Sequence, residues 1–431
     1  MPETMTVTNM VDFYAQQLIR AKDFYKTRAP LWNALPEITS GEVVSQRGVR
    51  FYYNKTQPGG HSLPSLSQPD NNRFIPNQSD SMWAVPQLYT IPLVIDLLLL
   101  NDAGGNNGPK KANAMFSIQE IIKQVTGAAA QHQDFFACGN GSDAMAYAAS
   151  TLTVPGSGQT LNCETTPAAA PGHTKGAVRL KQNQYYQSYD TTTGLPEGTI
   201  LVTSVNNKTS ATVTLLSGVV TSGNPICDVG GYNAAPMGYT GLLDNVNRIT
   251  QGRDTSVDTI MNIPTVSLSN TAKFTVTDME TVKTMLNVLN MDEGMRSGLS
   301  IITTPGLMSD IRKQGYGFHR TKDDDAVVGI SRIYKDADGS RVMEIADAEE
   351  DRYVAFKSNL QKHTEIEFGD LAPDDLQWRN LPGINGTGSR NWYRMWGTSW
   401  TLACDDFMAA AQVKGASLTG ITVQTVTGMG N

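Results

Sequence analysis

Five histidines, four cysteines and two acidic runs are the residues of this 431-residue chain with the chemistry for metal binding or catalysis. His61, His132, His173, His319 and His363 lie far apart, without the HExxH or HxH spacing that brings two imidazoles to one metal. Cys138, Cys163, Cys227 and Cys404 form no CxxC pair, so neither a zinc site nor a disulfide framework is signalled. The runs Asp323–Asp325 and Asp347–Asp351 offer oxygen ligands for a cation. YKDADGSR, Tyr334 to Arg341, begins like a calcium loop but lacks the distal bidentate Glu. A hairpin turn at Asp338-Gly339 accounts for it, and both acidic runs read as solvated loops. His132 falls on the apolar face of a long predicted helix, the place of a core or interface histidine. Gly139-Asn140-Gly141 follows that helix, whereas a dinucleotide loop follows a strand. No nucleophile, base and orienter converge. The reading is a protein with no catalytic residues, no cofactor and no bound metal.

Composition narrows the class. The chain is long enough for two or three domains and a large core. Only 17% of residues are charged, while Gly, Asn, Thr and Ser are abundant. A surface of small polar groups suits broad protein contacts, because burying charge is costly. A net charge of −7 argues against a dedicated nucleic-acid binder, which shows a basic face. The N-terminus has acids and no apolar core, so it does not read as a signal peptide. The longest apolar run, Ile91 to Leu100, is interrupted by Pro92 and Asp96 and is too short to span a bilayer. A soluble protein made in a reducing cytoplasm is expected.

The elements follow from period and punctuation. Val7 to Leu35 is amphipathic at helical spacing, with Pro30 and Pro36 as stops. An arm runs from Gly41 to Ser81. Its strand-like VVSQRGVRFYYNK leads to a tip broken by Pro58, Gly59, Gly60, Pro64 and Pro69, and SMWAVPQLYTIPLVI returns. Strand, tip and returning strand make a long hairpin. A lone helix is expected from Asn113 to Ala137, with Phe116, Ile118, Ile121, Ile122, Val125, Ala129, His132 and Phe136 on one face. Cys138 to Asp143 ends it with Gly and Asn.

From Ala144 to Tyr239 charge almost disappears. GAVRLKQ, QYYQSYD, TILVTSVNN and ATVTLLSGVV alternate like strands of a small inserted β-sandwich or barrel, and Val154 to His173 is expected to loop out. TVTDMETVKTMLN then carries a capping box of Thr277 and Glu280 ahead of a helical stripe. A strand and a short helix follow in GLSIITTPGLMSDIRKQG. A hairpin, two further strands and an aromatic-rich closing strand pair from Asn391 to Ala416 complete the chain.

This order of elements resembles the major capsid protein of tailed bacteriophages, whose fold is named for phage Hong Kong 97. The carrying segments are the helix exit FFACGNGSDAMA, the return PMGYTGLLDNV after the insertion, and TVTDMETVKTMLN ahead of IITTPGLMSDIRKQG. The resemblance implies an α+β chain divided as follows: N-terminal arm 1–40, extended loop 41–85, peripheral domain with spine helix 86–143, β-rich insertion domain 144–240, peripheral domain continued 241–298, axial domain 299–389, and a peripheral strand and tail 390–431.

It further implies a non-enzymatic subunit that assembles as hexamers and pentamers into an icosahedral shell around phage double-stranded DNA. The shell would form in the host cytoplasm and be part of the virion. The implied partners are other copies of the chain, portal and scaffolding proteins, and a cement or decoration protein. No membrane and no sequence-specific DNA contact are implied. Arg47, Arg50, Tyr52, Tyr53 and Lys55 in the extended loop are the candidate intersubunit contacts. An encapsulin-like compartment of the same fold, loading a cargo enzyme, is the alternative. A β-rich hydrolase or surface-binding protein is the third reading, and it lacks a catalytic set.

Overall fold

A 31-residue helix, Gly108–Cys138, runs about 46 Å and packs against Leu97–Gly104, Gln87–Asp96 and Pro30–Ala34. The computed structural model describes residues 29–38, 42–44, 48–54, 79–104, 108–166, 169–170, 175–233, 237–243, 249–250, 253–254, 262–268, 273–290, 294, 297–314, 319–320, 333–335, 338–371, 379–382 and 388–415. The helix begins earlier than the apolar period suggests, because Pro109 sits in its first turn, where a missing N–H costs nothing. Ala114, Ile118, Ile122, Ala129 and Ala130 are buried, and so is every residue from Gln133 to Cys138. Phe116, expected on the apolar face, is 63% exposed. It lies two positions from Ile118, about 200° around the helix.

The strand Gly388–Cys404 forms the spine of a four-stranded sheet. Gln87–Asp96 pairs along one edge, while Leu360–Asp370 and Arg379–Pro382 share the other. Leu93, Ile95, Trp396, Trp400 and Leu402 are buried on its inner face. Pro30, read from sequence as a stop, instead opens the short helix Pro30–Ala34. The amphipathic stretch before Ala29 lies outside the described residues.

Ahead of Gln87–Asp96 comes the expected hairpin. Gly48–Asn54 pairs with Ser79–Ala84 from Val49↔Ala84 to Asn54↔Ser79, and Glu42–Val44 adds a third strand. Val49, Met82 and Ala84 are fully buried at its base. Gly48 makes the approach possible: its φ is +91°, and a Cβ there would stand 2.2 Å from the Ala84 carbonyl oxygen.

The inserted module is a barrel. Its antiparallel order is Ala144–Tyr147, Pro225–Asp228, Tyr185–Tyr189, Pro196–Asn207, Ser210–Gly218, Gly156–Asn162. The first and last strands are joined by the Ala148↔Cys163 bridge and by Glu164 N–H donating to Tyr147 O at 2.8 Å. Closure removes the exposed edges that a small open sheet would leave. Ile200, Val202, Ala211, Val213 and Leu215 alternate inward and are essentially fully buried. Two expectations fail here. Residues 156–162, expected to loop out, supply a strand. GAVRLKQ, expected as a strand, holds the 3-10 turn Gly176–Arg179, where Gly176 has φ +58° and a Cβ would meet Lys208 O at 2.3 Å.

A second core lies under the seven-stranded mixed sheet, in the order Thr265–Ser267, Ala410–Lys414, Tyr353–Phe356, Ser300–Thr303, Arg341–Glu344, Ile333–Lys335, His319–Arg320. The helices Val276–Asn290 and Pro305–Lys313 cover it through Met279, Val282, Leu286, Leu307, Met308 and Ile311. The capping box falls two residues before its expected place. Thr275 N–H donates to Asp278 Oδ2 at 2.8 Å, and Asp278 N–H to Thr275 Oγ1 at 3.3 Å. The closing strand pair is also corrected: Gly388–Cys404 and Ala410–Lys414 belong to different sheets, so the chain end ties both together. The fold is of the α+β class.

Candidate assembly surface and its buried anchors

Of the five candidate contact residues, Arg47 and Lys55 lie outside the described residues. Tyr52 and Tyr53 occupy strand positions opposite Ser81 and Asp80. Arg50 is engaged within the subunit. Its Nη2 donates to Ser81 Oγ at 3.2 Å, and its guanidinium stands 5.5 Å from the ring centroid of Trp83, its cross-strand partner. Arg50 therefore stiffens the base of the hairpin that would present the other four.

That base is backed by a junction legible only in three dimensions. Asp134, in the buried last turns of the long helix, accepts the backbone N–H groups of Leu31 at 3.3 Å and Trp32 at 3.2 Å. A carboxylate at the start of Pro30–Ala34 satisfies donors that the helix itself leaves orphaned. Burial pushes Asp134 up to about 8, against the lowering effect of those two hydrogen bonds. On the other side, Lys362 Nζ donates to Trp32 O at 2.8 Å and lies 5.1 Å from the Trp32 ring centroid. The Trp32 and Trp400 rings pack at 4.5 Å, and Glu37 bridges to Lys362 as an added strand.

The acidic run Asp347–Asp351 is not a solvated loop. Asp347 Oδ1 pairs with Arg179 Nη1 at 3.1 Å, and Glu350 pairs with Lys208, both cations coming from the barrel. Glu349 pairs with Arg352 at 2.7 Å with both side chains buried, and Asp351 accepts the Gly415 N–H at 3.1 Å. Arg179 also stacks on Phe135 of the long helix, 4.2 Å from its centroid. The run is a clasp that fixes the barrel to the seven-stranded sheet. The run Asp323–Asp325 lies outside the described residues. Among the described residues no group of three or more His, Cys, Asp and Glu could hold a metal. All four cysteines are free and buried, and burial raises the Cys138 and Cys404 thiols, which leaves them poor nucleophiles.

His132 takes a place at the helix–barrel contact. Lys181 Nζ donates to His132 Nε2 at 3.2 Å, so Nδ1–H donates to Tyr89 Oη at 2.9 Å. Burial, with Lys181 and Arg179 nearby, lowers its pKa to about 4. A neutral imidazole held at both nitrogens is a structural link. The segments that lead into and out of the barrel also meet: Gly241 N–H donates to Gly139 O at 3.1 Å, and Asn233 N–H to Ser142 O at 3.3 Å. These four features — hairpin root, N-terminal junction, clasp and neck — fix where the described hairpin strands and the barrel stand relative to the long helix. No helix among the described residues is long and apolar enough to cross a membrane.

No family model and no curated protein matches the chain. Among solved structures it is similar to the capsid of cyanophage A-1(L), at 8% identity and a TM-score of 0.48, covering 91% of this chain and 93% of that one. It is similar to the capsid of a native GTA particle, at 11% identity and a TM-score of 0.42, over 90% and 91% of the two chains. It is also similar to an encapsulin complex from Synechococcus elongatus, at 7% identity and a TM-score of 0.37, over 91% and 89%.

Proposed function

We propose that this chain is the shell-building subunit of a tailed-bacteriophage head, with a Hong Kong 97 type fold. In this reading it assembles as hexamers and pentamers around double-stranded DNA. The carrying observation is the hairpin. Met82 and Ala84 lock its base into the core, and its two strands leave in register as far as Asn54↔Ser79. Between Asn54 and Ser79 the sequence is rich in Pro, Gly and Ser. Such a sequence has too few apolar groups to offset roughly 1–2 kcal/mol of ordering cost per residue on its own. A neighbouring copy supplies the missing surface, and head-to-tail contacts of this kind close into rings.

The domain divisions given by the resemblance carry over on this reading, with Gly108–Cys138 as the spine helix and the barrel as the insertion domain. Arg47, Arg50, Tyr52, Tyr53 and Lys55 reach the neighbour, with Arg50 also bracing the hairpin. The mildly acidic chain encloses DNA without gluing it to the wall. Portal, scaffolding and cement proteins complete the head, which is built in the host cytoplasm and needs no enzymatic activity from this chain. Sedimentation velocity of the chain co-expressed with its scaffold tests the reading: closed particles support it, and a monomer under every condition refutes it.

A further inference from the structure

The neck of the barrel holds a carboxylate without a donor. Asp143 lies between the end of the long helix and the first barrel strand, at a left-handed φ of +54°, and is only 6% exposed. Its Oδ1 is buried with no hydrogen-bond partner. Its Oδ2 abuts the other limb of the neck so closely that a Cβ on Gly231 would come within 1.8 Å of it. An ionised carboxylate in such a place carries the full cost of buried, unpaired charge.

The surroundings add to that cost. Asp228 closes the last barrel strand, and its Oδ1 accepts from Gln184 Nε2 at 3.2 Å. Cys227 and Tyr189 face the same space, with Cys227 Sγ donating to Ser142 O at 3.6 Å and Gly230 N–H to Tyr189 Oη at 2.8 Å. Tyr186 and Tyr89 approach from the barrel and the four-stranded sheet. The cation Lys181 faces Asp228 and is shared with His132. Burial and the Asp228 charge push Asp143 up to about 8.

We infer that the neck is a proton-controlled joint: neutral Asp143 seals the two limbs together, and its ionisation beside Asp228 opens residues 139–143 and 229–233 locally. The barrel stays folded and stays on the body through the Arg179–Asp347 and Lys208–Glu350 clasp. A subunit built this way would tighten or relax its insertion with modest changes in pH, whatever the chain assembles into.

The sign follows from linkage. The folded value lies above the ordinary 3.8, so the seal is complete below that value and is lost as pH rises to about 8. His132 titrates in the opposite sense and only below about 6.5, so it is silent from pH 6.5 to 8; Asp134 and Lys175, both at about 8, titrate in that window too, and the Asp143→Asn variant separates their effect from that of Asp143. Hydrogen exchange of the full chain, corrected for intrinsic rates, is the test. In the wild type, protection in 229–233 is expected to fall about tenfold or more across that window. Asp143→Asn is expected to abolish the fall. Asp228→Asn is expected to move it to lower pH. Protection that stays flat in the wild type overturns the inference without any variant, and so does a fall of equal size in Asp143→Asn.

Discussion

Asp134 and Trp32 stand 102 residues apart in sequence and are joined by a hydrogen bond of 3.2 Å from the Trp32 backbone N–H to Asp134 Oδ1. Through this bond, and that of Leu31 beside it, the long helix takes hold of the N-terminal segment. Asp134→Ala leaves two buried N–H groups unpaired, at about 1–3 kcal/mol each. Urea unfolding is expected to show that loss. Asp134→Asn keeps an acceptor and is expected to be milder near pH 6. The folded carboxyl sits at about 8 against an ordinary 3.8, so its stabilisation is complete below 3.8 and lost as pH rises through 8. The Asn variant is therefore expected to lose less stability than the wild type between pH 6.5 and 8.5.

The clasp separates two kinds of ion pair. Lys208 and Glu350 are each roughly a quarter to a third exposed, whereas Arg179 is 12% exposed and also stacks on Phe135. Lys208→Ala is expected to cost under about 1 kcal/mol, and that cost should vanish in high salt. Arg179→Ala is expected to cost about 1–3 kcal/mol and to keep most of it in salt, since it also loses the ring contact. Paired denaturation curves at low and high ionic strength read both.

Gly238 marks the closest approach of backbone to backbone in the neck. Its φ of −84° suits any residue, so space alone requires glycine. A Cβ there would stand 2.2 Å from Phe136 O and 2.5 Å from Gly139 O. Gly238→Ala is expected to cost about 1–3 kcal/mol or more through displacement of rigid backbone, visible as a lowered thermal midpoint. A neutral result would mean that the two limbs of the neck are not in contact.

What the sequence revealed was local and periodic. Ile118, Ile122 and Ala129 announce the long helix through their spacing, and the runs around Ile200 and Val213 announce barrel strands. The hairpin was legible because Pro and Gly mark its tip. The misses have physical causes. Gly156–Asn162 carries little apolar signal because only Leu161 is fully buried from it, and partner strands supply the rest. Thr275 and Asp278 displaced Thr277 and Glu280 as the capping pair, a shift within the usual uncertainty of helix ends.

Long-range polar pairing was the least legible. Nothing near Asp347–Asp351 in sequence reveals that Arg179 and Lys208 will meet it, and nothing near Asp134 reveals Trp32. A cation in a turn of the barrel, facing an acidic run more than a hundred residues away, is a signal that only the fold decodes.

The central claim is that the hairpin completes its fold on a neighbouring copy. Electron microscopy of the wild-type chain and of a variant lacking Gln57 to Asn72, both co-expressed with the scaffold, tests it most directly. The account predicts closed, uniform shells from the wild type, and folded but unassembled subunits with native circular dichroism from the deletion. Shells from the deletion variant equal in yield and size to those of the wild type would contradict it.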